Sequence, residues 1–182
     1  MLETEQLKWK VIYTSSRQEK KVSAYLTKFD VEHYLPIYRS LRYWKDRKKW
    51  VELPLFNGYI FIKPTDIQRD EVLRIQGVVK YIRHNGTDAI VPERQLNLIK
   101  EFMEFGYSIS QYDPSENLEI GDVAEIMEGP LKGQEAEISK LGDENYLLVT
   151  IEAMNQSFKV KLPKEILKLR LKKPKEEIKP LW

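Results

Sequence analysis

Cysteine is absent from the sequence, and histidine occurs only as His33 and His84. Disulfides, thiolate nucleophiles and cysteine-ligated zinc are therefore excluded. Two histidines leave little material for a metal or proton-transfer site, and neither a metal nor a cofactor is expected. Long hydrophobic runs are also missing: the longest apolar stretch is a few residues, against the roughly 20 needed to cross a bilayer, so no transmembrane helix is expected. The opening MLETEQLK carries two glutamates and no apolar signal-peptide core, which points to the cytoplasm. The eight glycines stand mostly alone, and H-E-x-x-H, G-x-S-x-G and G-x-x-x-x-G-K-[ST] do not occur. Adjacent acids such as Asp143-Glu144 and Glu176-Glu177 sit in polar stretches and read as solvated. The chain is not expected to be an enzyme.

What is present is charge, unevenly spread. The 30 basic and 28 acidic residues leave a net charge of only +2. Arg39 to Lys49, however, holds six bases (Arg39, Arg42, Lys45, Arg47, Lys48, Lys49) against Asp46 alone. Ser108 to Glu119 holds Asp113, Glu116 and Glu119 and no base. A basic projection on one domain and an acidic linker to another would produce this pattern.

Hydrophobic periodicity supplies the elements. Trp9 to Thr14 is β-prone, and Ser16-Arg17-Gln18-Glu19 fits the S-x-x-E box that opens a helix. Val22, Tyr25, Leu26 and Phe29 then form one apolar helical face. Val31 to Tyr38 and Lys49 to Leu53 are β-prone and flank the polar run Arg39 to Lys48, as in a long charged hairpin. Gly58 to Ile62 reads as a central strand, 66–76 as a helix ended by Gly77, and 78–83 as a strand closed by Asn85-Gly86. Pro92 opens a further helix ending at Gly106. Beyond residue 119 the period becomes two, with strands around 123–126, 146–151 and 158–162, which suggests a small barrel. The expected plan is an α/β domain (1–107), an acidic linker (108–118), an all-β domain (119–171) and a mobile tail (172–182).

Two surfaces stand out, each with two readings. The run Arg39 to Trp50 interleaves cations with Tyr43, Trp44 and Trp50, which suits phosphates and unpaired bases; it is equally what a solvated hairpin needs to avoid edge aggregation. Trp9, Tyr13, Phe56, Tyr59 and Phe61 are core by default. Alternation sets Tyr59 and Phe61 opposite Ile60 and Ile62, so one face of the sheet could be core and the other a docking surface for a protein.

In their order and spacing these segments resemble the NusG family of transcription elongation factors. The carriers are Lys8 to Tyr13 with Glu19 to Val22, then the element 53–62 (LPLFNGYIFI), Gly77-Val78-Val79, Val91-Pro92, and the run 121–133 (GDVAEIMEGPLKG), which looks like a KOW opening. The resemblance implies an α+β protein: an N-terminal α/β sandwich with an antiparallel sheet flanked by helices, followed by a small SH3-like KOW barrel. It implies RNA polymerase as partner, bound across its DNA channel. The clamp helices of the largest subunit would meet a depression matched here by Tyr13, Phe56 and Tyr59. Non-template DNA or nascent RNA would lie on Arg17, Lys20, Lys21, Arg42, Lys45, Arg47, Lys48 and Lys49. The protein would act as a monomer, away from membranes, and reduce pausing or termination.

Departures point to a subfamily. Where general members carry FGR in the loop that meets a ribosomal protein or termination factor, this chain has Met154-Asn155-Gln156. Ala136 replaces the KOW glycine and Asn57 a common proline. The charged hairpin resembles specialised operon antiterminators of the RfaH and UpxY type. The alternatives are a general elongation and termination factor, which would use its KOW domain on the ribosome or a termination factor, and a ribosomal RNA-binding KOW protein.

Overall fold

A computed structural model describes residues 7–44, 46–116 and 118–169. Lys45 and the expected tail lie outside the described residues. The first part runs β1 (Lys10–Thr14), α1 (Glu19–Lys28), β2 (Glu32–Tyr34), β3 (Ile37–Trp44), β4 (Arg47–Pro54), β5 (Tyr59–Lys63), α2 (Asp66–Val72), β6 (Val78–Tyr81), β7 (Arg83–His84), β8 (Thr87–Asp88) and α3 (Glu93–Glu104). It continues with β9 (Ile109–Gln111), β10 (Glu119–Ile126), β11 (Glu135–Leu141), β12 (Glu144–Ile151), β13 (Gln156–Leu162) and β14 (Leu167–Leu169).

Strands β2-β5-β1-β6 make a four-stranded antiparallel sheet. Its central strands are apolar on both faces because both faces are covered. Ile12, Ile60 and Ile62 pack with Val22 and Leu26 of α1 and Val72 of α2. Val11 and Phe61 pack on the other side with Leu96, Ile99 and Phe102 of α3. The alternation of β5 is as expected, but the division into one core face and one free face is not. The helix α3 follows β-strands whose second face is also hydrophobic, and covers it.

One local expectation needs correction. The Ser16–Glu19 box does not form: α1 begins at Glu19, the residue before it gives no side-chain cap, and Arg17 adopts φ 61°. The Glu19 carboxylate is buried and accepts the Gly58 N–H at 2.7 Å. A charge-assisted tertiary bond has displaced the local cap. The expected charged hairpin is present: β3 and β4 pair continuously from Ile37↔Pro54 to Trp44↔Arg47, so the strands run on into the polar stretch and carry the charges out along a two-stranded ribbon. By contrast α2 has a capping box, Thr65 with Gln68, that the sequence reading did not single out.

The second sheet is antiparallel in the order β14-β10-β11-β12-β13-β9. Its β-branched positions along 146–151 and 156–162 form strands β12 and β13, paired from Asn145↔Leu162 to Ile151↔Gln156. Gly121 sits where β10 shifts register against β11, and a Cβ there would lie 1.7 Å from the Ile138 carbonyl oxygen. Residues 109–111, at the start of the acidic stretch, form β9 and pair with β13, which anchors the connection to this sheet.

Asp88 fastens the β7–β8 hairpin to the first sheet. Its carboxylate accepts from Arg69 at 2.6 and 3.0 Å, and it lies 3.2 Å from Lys10 and 3.6 Å from Arg83. The Arg69 hydrogen bond, reinforced by Lys10, holds the carboxyl below the usual carboxylate range. A carboxylate with a depressed folded pKa stabilises the fold above its unfolded value, and loses that contribution as pH falls through the folded one. Asp88→Asn should thus lower stability at neutral pH by about 2 kcal/mol. Denaturant titrations should show the gap between variant and wild type closing as pH drops below the normal carboxylate range; a pH-independent gap would contradict the assignment.

Candidate functional site

The loop between β4 and β5 organises the aromatic surface. Gly58 has φ 82°, donates its N–H to Glu19 and accepts the Thr14 N–H through its carbonyl at 2.8 Å. A Cβ on Gly58 would stand 2.8 Å from Tyr13 Cε2, so the ring lies directly on the glycine backbone. Tyr59 meets Tyr13 edge-on, with centroids 5.3 Å apart at 62°. Tyr13 is 37% exposed and Tyr59 is half-buried. Burial, with a smaller effect of Tyr13, raises the Tyr59 hydroxyl above its ordinary pKa, so the Tyr59 phenol is a neutral donor at physiological pH. Such a rigid amphipathic pair suits a protein interface.

Phe56 lies elsewhere. It is 1% exposed and packs edge-on against Phe61 and against Phe158 of β13, each at 6.0 Å. Phe158 also meets Phe102 of α3 at 6.4 Å. The expected trio is thus split into a surface pair and a buried ring that is covered by the second sheet.

The basic residues converge in part. A cleft of about 680 Å³ brings Arg17 and Lys20 from around the start of α1 together with Arg42, Tyr43 and Trp44 of β3, and Asn57 closes it from the aromatic loop. Glu19 and Glu52 also line it, and Lys20 pairs with Glu52 at 3.3 Å across an exposed gap where screening leaves the bond weak. Lys21 is exposed outside the cleft lining. Arg47, Lys48 and Lys49 are exposed on β4, and the Lys48 ammonium sits 5.1 Å from the Tyr43 ring centre. Register sets Arg42, Lys49, Trp44 and Arg47 on one face of the ribbon and Tyr43, Lys48 and Trp50 on the other. Tyr43, Trp44 and Trp50 are all exposed beside cations, the combination that attracts phosphates and stacks bases.

The 154–156 loop faces the first sheet's side of the molecule. Met154 is buried, and His84 Nε2 donates to the neighbouring Ala153 carbonyl at 2.9 Å. Asn57 donates to Gln111 Oε1 at 2.9 Å, and Gln111 passes the chain on to Gln156 at 3.1 Å. Asn155 is exposed with φ 50°. Sequence reasoning gave Glu19 only a local capping role and did not single out Phe102 or Phe158; only the pairing of distant positions, Glu19 with Gly58 and Phe158 with Phe56 and Phe102, could have indicated their roles. His33 is engaged by Ser23 at 2.8 Å, and among the described residues no three His, Asp or Glu side chains cluster as a metal site requires. Among the same residues no helix is long and apolar enough to cross a membrane.

Comparison with known proteins agrees with this architecture. Residues 7–100, just over half of the chain, match the family model described as transcription termination factor nusG. No curated protein matches. A solved structure described as "Domain interaction in Thermotoga maritima NusG" superposes with a TM-score of 0.54 at 20% identity, over 90% of this chain and 97% of that one, which shows a shared fold. The α/β sheet with its glycine-seated tyrosine pair thus lies within the matched region, and the chain belongs to the NusG family of non-enzymatic transcription factors, which work with RNA polymerase in elongation and termination.

Proposed function

We propose that this protein is a specialised elongation regulator that binds RNA polymerase across its DNA channel and suppresses pausing and termination. One observation carries the reading: the 56–58 loop joins the two surfaces, placing the tyrosine pair on one side of Gly58 while Asn57 lines the cleft that holds Arg17, Lys20, Arg42, Tyr43 and Trp44. A single rigid element could then seat the clamp helices and hold a nucleic-acid strand beside them. Binding of this kind shifts a conformational equilibrium of the polymerase and needs no catalytic group.

Tyr13 and Tyr59 are the anchors available at once. Phe56 joins them only when the second sheet, read as the KOW barrel, carries Phe158 away from it. Full docking on the polymerase therefore requires the two halves of the chain to separate. His84 on the Ala153 carbonyl, and Asn57 through Gln111 to Gln156, keep the barrel's partner loop against the first domain until then.

Tyr13→Ala, in a protein that keeps its fold, should weaken polymerase binding by about 2 kcal/mol, roughly thirtyfold. Wild-type affinity in an equilibrium titration would remove Tyr13 from the docking surface. Replacing Arg47 and Lys48 together with alanine should reduce the slope of log affinity against log salt for single-stranded DNA by about 1 to 2. An unchanged slope would return the ribbon to a solvated hairpin.

A further inference from the structure

Asparagine followed by glycine occurs twice, at Asn57-Gly58 and at Asn85-Gly86. The pair carries a chemistry of its own, because glycine has no Cβ to shield its main-chain nitrogen from the side chain before it. That nitrogen loses its proton to solvent hydroxide and attacks the asparagine Cγ, forming an N–Cγ bond. The Cγ–Nδ2 bond breaks and the side-chain nitrogen leaves as ammonia. Water then opens the cyclic imide at one or other carbonyl, giving aspartate or isoaspartate. One water is consumed, one ammonia is released, and nothing is oxidised or reduced. The reacting species is the main-chain amide anion, so the charges and burial around it decide the rate.

The fold gives the two pairs opposite surroundings. Gly58 is buried, and its N–H donates to the Glu19 carboxylate at 2.7 Å. Removing that proton would set an amide anion against a buried carboxylate, a like-charge contact in a medium that screens poorly. The Asn57 carboxamide is held as well, by its bond to Gln111 at 2.9 Å. At the tip of the β7–β8 hairpin each of these conditions is reversed. Asn85 and Gly86 are both exposed, the Asn85 carboxamide is bonded to no described residue, and nothing lies within 4 Å of where a Gly86 Cβ would stand. Arg83 donates to the Gly86 carbonyl at 2.5 Å, which brings a cation close to the nitrogen that must become negative. Asp88, the one carboxylate of the hairpin, is engaged by Arg69 and Lys10, and His84 turns its Nε2 to the Ala153 carbonyl.

We propose that Asn85-Gly86 is a site of spontaneous deamidation in the folded protein, and that Glu19 protects Asn57-Gly58 from the same reaction. The product carries a new carboxylate, and in its iso form one more main-chain atom, next to the histidine that joins the hairpin to the second sheet. The test ages the full-length protein in warm, mildly alkaline buffer, with and without urea. Peptide mass spectrometry follows the amide-to-acid mass gain at each asparagine, and a protein isoaspartyl methyltransferase, used as a reagent, reports the iso form. In native buffer Asn85 should react roughly tenfold or more faster than Asn57. In urea, where the fold no longer separates them, the two should react at similar rates. Glu19→Gln should raise the Asn57 rate in native buffer, whereas Arg83→Gln should slow Asn85 and leave Asn57 unchanged. Equal rates in the folded protein, a faster Asn57, or a native Asn85 that stays intact while both pairs react in urea would overturn the proposal. An Asn57 rate unmoved by Glu19→Gln would overturn the protecting role of Glu19.

Discussion

Phe158 reaches out of the second sheet to meet Phe56 and Phe102, and this three-ring contact sets what each half of the chain can present. It merges the core beneath α3 with the interior of the second sheet, so one continuous apolar cluster runs from Trp9 to Ile166. Truncating a ring buried this fully typically costs about 3–5 kcal/mol, which is a large share of a domain's net stability. The surrounding polar links are smaller in effect but set the register: His84 to the Ala153 carbonyl, and Asn57 through Gln111 to Gln156. A ring that completes the polymerase-binding surface in the proposed reading is the same ring that holds the two halves together. In that reading, docking and the contact between the two halves compete for Phe56.

A second constraint lies at Gly58. Its positive φ and the Tyr13 ring on its Cα exclude a side chain, and its N–H is satisfied by the buried Glu19. The start of α1 is thereby tied to the aromatic loop, and Arg17 and Lys20 are held opposite the β3–β4 ribbon. The net charge of +2 conceals this arrangement, because acids elsewhere in the chain offset a strongly basic ribbon.

Much of the fold was legible in the sequence because it depends on local patterning. The alternation of 58–62, the Asn85-Gly86 turn and the β-branched run 146–151 each specify their structure within a few residues, and each is present. What was not legible depended on distant partners. Glu19 looks like a capping residue until Gly58 is brought beside it. Phe56 looks like a surface anchor until Phe158 covers it. The charged hairpin was read from its β-prone flanks, but the length of its strands was not, because a two-stranded ribbon solvated on both faces has no need of apolar residues. The tyrosine pair was legible only through the resemblance; its seating on Gly58 depends on β1 and the 56–58 loop, distant in sequence, meeting in the fold.

The competition for Phe56 can be measured as a distance. The chain lacks cysteine, so Glu71→Cys in α2 and Glu137→Cys in β11, both exposed positions, give two unique labelling sites on opposite halves. Spin-label distances should form a single narrow distribution in the free protein and move to a longer, broader one when RNA polymerase is added. A distribution that stays narrow and unshifted in the polymerase complex would contradict the account, because Phe56 would then remain covered while the protein is bound.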